Sequence, residues 1–146
     1  MRDYYKYFIC ITVLIWFITS CSAYAKEPAP YYINAEFVME ENSSDYEICG
    51  VDLYFLNKTE KKIEEFTVVF YLFDEDGEAI SEGKSNIVLN VTKEIGDNQA
   101  YFDCLSLDKY FNEKPDFYTS IDYLYISRIV YEDGTIWQDP FGMICF

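Results

Sequence analysis

Residues 61–80, KKIEEFTVVFYLFDEDGEAI, constrain the fold more than any other stretch of the chain. From position 63 to 73 the side chains fall into two alternating sets. Phe66, Val68, Phe70 and Leu72 form one set; Ile63, Glu65, Thr67, Val69, Tyr71 and Phe73 form the other. Successive side chains of a strand point to opposite faces, so the first set reads as an unbroken apolar stripe. Branched and aromatic side chains fill a pleated surface well. Asp74, Glu75, Asp76 and Gly77 then end the run, with glycine available for a positive-φ turn position. The stretch is expected to be a central antiparallel strand with Phe70 and Leu72 in the core, leading into a hairpin.

The rest of the mature chain repeats this rhythm. Strands are expected over residues 31–39, 46–56, 63–73, 86–92, 100–107, 118–131 and from 135 to 138. Polar breaks or Gly-containing turns separate them, the clearest being Gly96-Asp97-Asn98 and Glu132-Asp133-Gly134. Residues 108–116 leave room for one helical turn. Seven short strands without a sustained helical period point to one all-β domain, an immunoglobulin-like antiparallel β-sandwich, with a closed barrel as the alternative. The 146 residues suffice for one domain, and 51% apolar content suffices for its core.

The first residues read as an address. Arg2 and Lys6 precede eleven apolar residues, 8–18, a length that suits a signal-peptide h-region and is short for a membrane span. Ile18, Thr19, Ser20 and Cys21 follow and resemble a bacterial lipobox, which implies lipidation at Cys21. Ala23, Tyr24 and Ala25 form a competing A-x-A site for release by ordinary signal peptidase; an uncleaved anchor is the third possibility. The expected organisation is a lipoprotein-type signal peptide over residues 1–20, a tether over 21–30 and the sandwich over 31–146. The lipid would hold the chain on the cell envelope, facing the periplasm or the surface; release would make it secreted.

Charge and composition narrow the function. With 26 acidic and 11 basic residues the formal charge is −15, which repels phosphate backbones and argues against nucleic-acid binding. Histidine is absent, and with it the commonest general base and transition-metal ligand. Ser, Thr and Cys nucleophiles therefore lack their usual partner, and no S-x-x-K motif supplies a lysine base. Asp74, Asp76 and Glu78 alternate around Gly77 as calcium-loop ligands do, but the later bidentate Glu and the flanking helices are missing, so a hairpin turn with acids in water is expected and no metal site. Cys49, Cys104 and Cys145 remain after cleavage, an odd number that permits at most one internal disulfide. Cys49 shares a strand face with Val51, Leu53 and Phe55, and Cys104 shares one with Phe102, so both are candidates for the core. No CxxC spacing supports redox or zinc chemistry.

Phe70-Tyr71-Leu72-Phe73-Asp74, preceded by Asn57 and followed by Asp76 and Gly77, resembles the signature of the FxLYD domain family, with Phe73 where that family has Tyr. Leu53 stands where the family commonly has an upstream Gly. The likeness covers roughly residues 46–80. It implies a β-sandwich module of prokaryotic envelope proteins and lipoproteins and carries over no catalytic residue and no cofactor.

The aromatic surplus, 20% of the chain, gives the candidate site. Tyr118, Tyr123, Tyr125, Tyr131 and Trp137 cluster in the last hairpin, either stacked within the sheet or as a recognition surface. Strict alternation puts Leu124, Ile126 and Val130 toward the core and Tyr123, Tyr125 and Tyr131 outward. The expected function is a non-catalytic envelope lipoprotein domain that binds an envelope protein or a second copy through these three tyrosines. A carbohydrate-binding module, or a secreted enzyme or enzyme inhibitor, is the alternative.

Overall fold

The computed structural model describes residues 28–40, 43–80, 86–116 and 119–144. The segment expected to be a signal peptide, with Cys21, most of the expected tether, Tyr118 and Cys145, lies outside the described residues.

Seven strands follow in chain order: β1 (Tyr31–Val38), β2 (Gly50–Asn57), β3 (Ile63–Phe73), β4 (Ile87–Ile95), β5 (Ala100–Ser106), β6 (Ser120–Tyr131) and β7 (Ile136–Gln138). One 3-10 turn, Asp108–Tyr110, lies between β5 and β6. The strands form two antiparallel sheets, β1-β2-β5 and β4-β3-β6-β7. The two sheets share no ladder among the described residues, so the architecture is a sandwich and not a closed barrel. The order matches the immunoglobulin arrangement with its fourth strand moved from the edge of one sheet to the edge of the other.

The core lies between the sheets. Phe66, Val68 and Phe70 are fully buried and Leu72 nearly so, as the alternation of β3 requires. From the facing sheet come Tyr31, Val51, Leu53 and Phe55, all fully buried. The Phe55 and Phe66 rings stack across the interface at 4.4 Å. Burying an aromatic or aliphatic side chain of this size contributes roughly 1.5–3 kcal/mol, and this layer is the main source of stability.

Asn57 pins the corner between the sheets. It is fully buried at the end of β2. Its Nδ2 donates to the carbonyls of Lys61 at 2.8 Å and Gly96 at 2.9 Å, and its Oδ1 accepts from the N–H and hydroxyl of Thr59. A buried amide is tolerated only when it is hydrogen-bonded in this way. The turn after β3 is closed similarly: Asp74 Oδ1 accepts from the N–H of Asp76 at 3.0 Å and of Glu78 at 2.8 Å, and Gly77 takes φ 78°.

The second strand starts later than its apolar pattern suggests. Residues 46–49 are pulled out of the ladder by Asp108, whose carboxylate accepts from the N–H groups of Glu47, Ile48 and Cys49 at 2.9, 2.8 and 3.3 Å. The Glu47 bond foremost, with those of Ile48, the Ser106 hydroxyl and Cys49, holds the Asp108 carboxyl down at about 2. Tyr46 folds over the start of β2, where a Cβ on Gly50 would meet its ring at 2.5 Å. Cys49 is buried in the core, and burial, followed by the nearby Asp108 charge, pushes its thiol up to about 12. Cys104 differs from expectation. It pairs with Asp52 on the outer face of the sheet, while the core side of β5 is filled by Tyr101, Leu105 and the following Leu107. Cys49 and Cys104 thus lie on opposite faces and are both free thiols.

Candidate interaction face

The outer face of the four-stranded sheet is built on β3. Val69 lies between Val88 of β4 and Tyr125 of β6, and these neighbours cover it to 4% exposure. Further along, Tyr71 meets the Tyr123 ring edge-to-face at 5.6 Å and lies parallel to Phe73 at 6.4 Å. Tyr71, Phe73 and Tyr125 are half-buried, Val88 is exposed, and Tyr123 is 68% exposed. Edge-to-face and offset contacts of this kind are favourable beyond the area they bury. The result is a continuous apolar patch of six residues, with the Asp122 carboxylate beside it. Toward the other end of the sheet the same face turns polar, where Arg128 Nη1 meets Glu65 Oε1 at 2.7 Å and the Thr67 hydroxyl donates to Asn90 at 2.9 Å.

The backbone of β6 decides which tyrosines reach this face. Arg128 stands opposite Thr67 and Ile126 opposite Val68, so Ser127 is an extra residue. Tyr125 stands opposite Val69 and Asp122 opposite Tyr71, so two residues, Tyr123 and Leu124, face Phe70 alone. Each bulge reverses the alternation. Tyr123 adopts φ 50°, uncommon for a bulky residue, and its N–H is held by Asp122 Oδ1 at 2.8 Å. Its ring is thereby thrown outward.

Tyr123 and Tyr125 therefore point outward as strict alternation predicts, but Tyr131 does not. It is 6% exposed and belongs to the core, together with the fully buried Ile129. The bulge at Ser127 flips every residue after it, so the odd-numbered positions turn inward. The Lys61 ammonium lies 5.4 Å above the Tyr131 ring. Burial pushes its hydroxyl above the usual tyrosine range. Trp137 likewise packs inward, edge-on to Tyr31 at 5.6 Å. Ile63 belongs to the core as well, because the register slips between Ile63 and Glu65. In exchange the face gains Tyr71, Phe73 and Val88.

A second exposed aromatic group lies across the molecule. Tyr32, Tyr54 and Phe102 occupy the outer face of the three-stranded sheet, with Phe102 at 67% and Tyr32 at 43% exposure. Tyr54 stands opposite Phe102 and meets Tyr32 edge-to-face at 6.0 Å. Phe102 shares this outer face with Cys104, which its pattern makes a candidate for the core; both faces of β5 carry apolar residues, and alternation alone does not rank them.

No protein-family model matches the chain, and no curated protein matches it. Among solved structures, a hypothetical protein from Peptoclostridium difficile 630 superposes with a TM-score of 0.54, over 77% of this chain and 88% of its own, at 12% identity. A Northeast Structural Genomics Consortium target aligns over 74% of this chain and 79% of its own at 16% identity, with a TM-score of 0.36. The first likeness is one of fold.

Proposed function

We propose that this chain is a non-catalytic envelope lipoprotein of the FxLYD type, whose sandwich binds another envelope protein through the outer face of its four-stranded sheet. The observation that carries the reading is the Tyr123 ring, 68% exposed on a strained backbone and continuous with Tyr71, Phe73 and Tyr125. A large ring held in water on a surface otherwise rich in acids costs solubility, and apolar patches of this sort mark interaction sites. Rigid aromatic side chains supply the largest share of binding energy in protein interfaces. The FxLYD likeness is supported by the work its residues do: Phe70 and Leu72 fill the core, Asp74 closes the turn, and Asn57 pins the corner. The lipobox at Cys21 supplies the anchor that would keep this face near other envelope proteins.

The test uses the acyl-anchored, tagged chain in its native envelope. Replacing Tyr123 and Tyr125 together with Ser should leave the fold intact and abolish capture of the partner that the unsubstituted chain retains. Capture of every partner by the folded double variant would place binding elsewhere. Unfolding of the double variant would mean that the rings are structural. A mature N-terminus at Lys26 without acyl mass would remove the lipoprotein part of the reading.

A further inference from the structure

A sheet edge is a row of unpaired N–H and C=O groups, and β proteins blunt such rows with short strands, charges, proline or bulges. The edges of this sandwich are blunted unequally. β7 is three residues long. β4 carries Lys93 and Glu94 and passes a register shift. β1 follows Pro30 and carries Glu36. Where β7 leaves β6 uncovered, Asp122 takes the Tyr123 N–H and the Tyr31 hydroxyl accepts the Ile126 N–H at 3.0 Å. β5 has one acid, Asp103, whose carboxylate takes the Cys104 N–H, and none of the other devices. It runs seven residues against β2 with no register shift, without proline or lysine, and among the described residues no strand lies beyond it.

The ladder shows which groups β5 presents. In an antiparallel pair, residues alternate between bonding to their partner and turning both backbone groups away. The Asn57 N–H donates to the Gln99 carbonyl at 3.1 Å, and the Leu107 N–H to the Cys49 carbonyl at 3.0 Å. Odd-numbered residues from 99 to 107 therefore bond to β2, and the backbone groups of Ala100, Phe102, Cys104 and Ser106 point away from it. The Cys104 N–H is already directed to Asp103 Oδ1 at 3.1 Å, as that alternation requires. The Phe102 ring lies beside this row on the outer face, opposite Tyr54. A strand laid against β5 would gain main-chain bonds at Ala100, Phe102 and Ser106 and rest one side chain on the Phe102 ring.

We infer that the free edge of β5 accepts an extended, cationic segment of another protein as a fourth strand of this sheet, a mode of recognition distinct from the tyrosine face. The charge selects the occupant. The chain carries −15, and Asp52, Asp97 and Asp103 lie along or next to the edge strand. That field draws a basic segment in and repels a second copy, which would bring the same charge and its own Asp103.

The test is hydrogen exchange of the full chain in detergent micelles, with a capped ten-residue peptide of alternating Lys and Val as probe and its Glu-Val twin as control. The Lys-Val peptide should slow exchange of the Ala100, Phe102 and Ser106 amides at least tenfold, and the twin should not. Phe102→Pro removes the outward N–H and the ring without removing a bond to β2, a substitution that edge strands tolerate; it should abolish the protection. Phe102→Lys keeps the whole ladder and should weaken the effect at least tenfold. No slowing, equal slowing by both peptides, or full protection in both variants would overturn the inference. Protection that grows with protein concentration in the absence of peptide would assign the edge to a second copy and overturn it too.

Discussion

The outer faces of the two sheets are both aromatic, yet they are built in opposite ways. On the four-stranded sheet the rings partly cover one another around Val69, and two bulges in β6 decide which of them reach water. On the three-stranded sheet the ladders of β1, β2 and β5 run without a register shift, and Phe102 is exposed simply because the pleat turns it outward. The first face is a patch shaped by backbone irregularity. The second is a regular edge with one large ring beside it. Composition treats the two alike; backbone geometry separates a surface suited to side-chain contacts from one suited to main-chain pairing.

The largest expected effect sharpens the contrast between the inner and outer sides of β3. Leu72 is 1% exposed between the sheets, so Leu72→Ala should cost roughly 2–5 kcal/mol. Tyr71, one residue away on the outer side, is half-buried, and Tyr71→Ala should cost about 1 kcal/mol, the order of one aromatic contact. Urea denaturation of both variants measures this directly. A greater loss at Tyr71 would break the contrast, because the outer patch would then be acting as core.

A smaller effect separates the two sheets by pH. Asp108 ties residues 47–49, which lead into β2, to the end of β5, and it has no counterpart with three amide donors in the described part of the four-stranded sheet. Its carboxyl is held at about 2, below the usual 3.8. A depressed folded-state value means that the stabilisation is complete above about pH 4 and is lost as the pH falls from about 4 to about 2. Asp108→Asn should cost roughly 1–2 kcal/mol at neutral pH, at the low end for bonds to a charged group because the carboxylate lies near solvent. The difference between variant and parent should shrink across that acid window. A difference that stays constant from pH 6 to pH 2 would show that the carboxylate charge is not what holds residues 47–49.

Much of the fold was legible in the residues. All seven expected strands are present and β3 spans the expected positions, while β2 starts at Gly50 rather than at 46 and β4 runs on to Ile95 rather than ending at 92. Legibility failed where the backbone departs from strict alternation. Tyr131 and Ile63 were assigned outward because period-two counting carries no knowledge of bulges, and a bulge at Ser127 or beside Glu64 has no strong local signature in Gly or Pro. The late start of β2 was invisible for another reason: the carboxylate that withdraws residues 47–49 is supplied by Asp108, about sixty positions away. The placement of Cys104 failed because β5 offers apolar residues to both faces, and only the packing of Tyr101, Leu105 and Leu107 against β2 and β3 decides between them. Of the three candidate tyrosines, the two preceding the Ser127 bulge kept their outward direction and the one following it did not.

The proposed contact of Tyr123 with a partner is open to direct covalent capture. A photoreactive benzoylphenylalanine at position 123 of the full chain, irradiated in the cells that make it, tests this without presupposing the partner. Discrete cross-linked adducts are expected from position 123 and none from the exposed Glu60 at the other end of the sandwich. No adduct at 123, or the same adducts from both positions, would contradict the proposed contact.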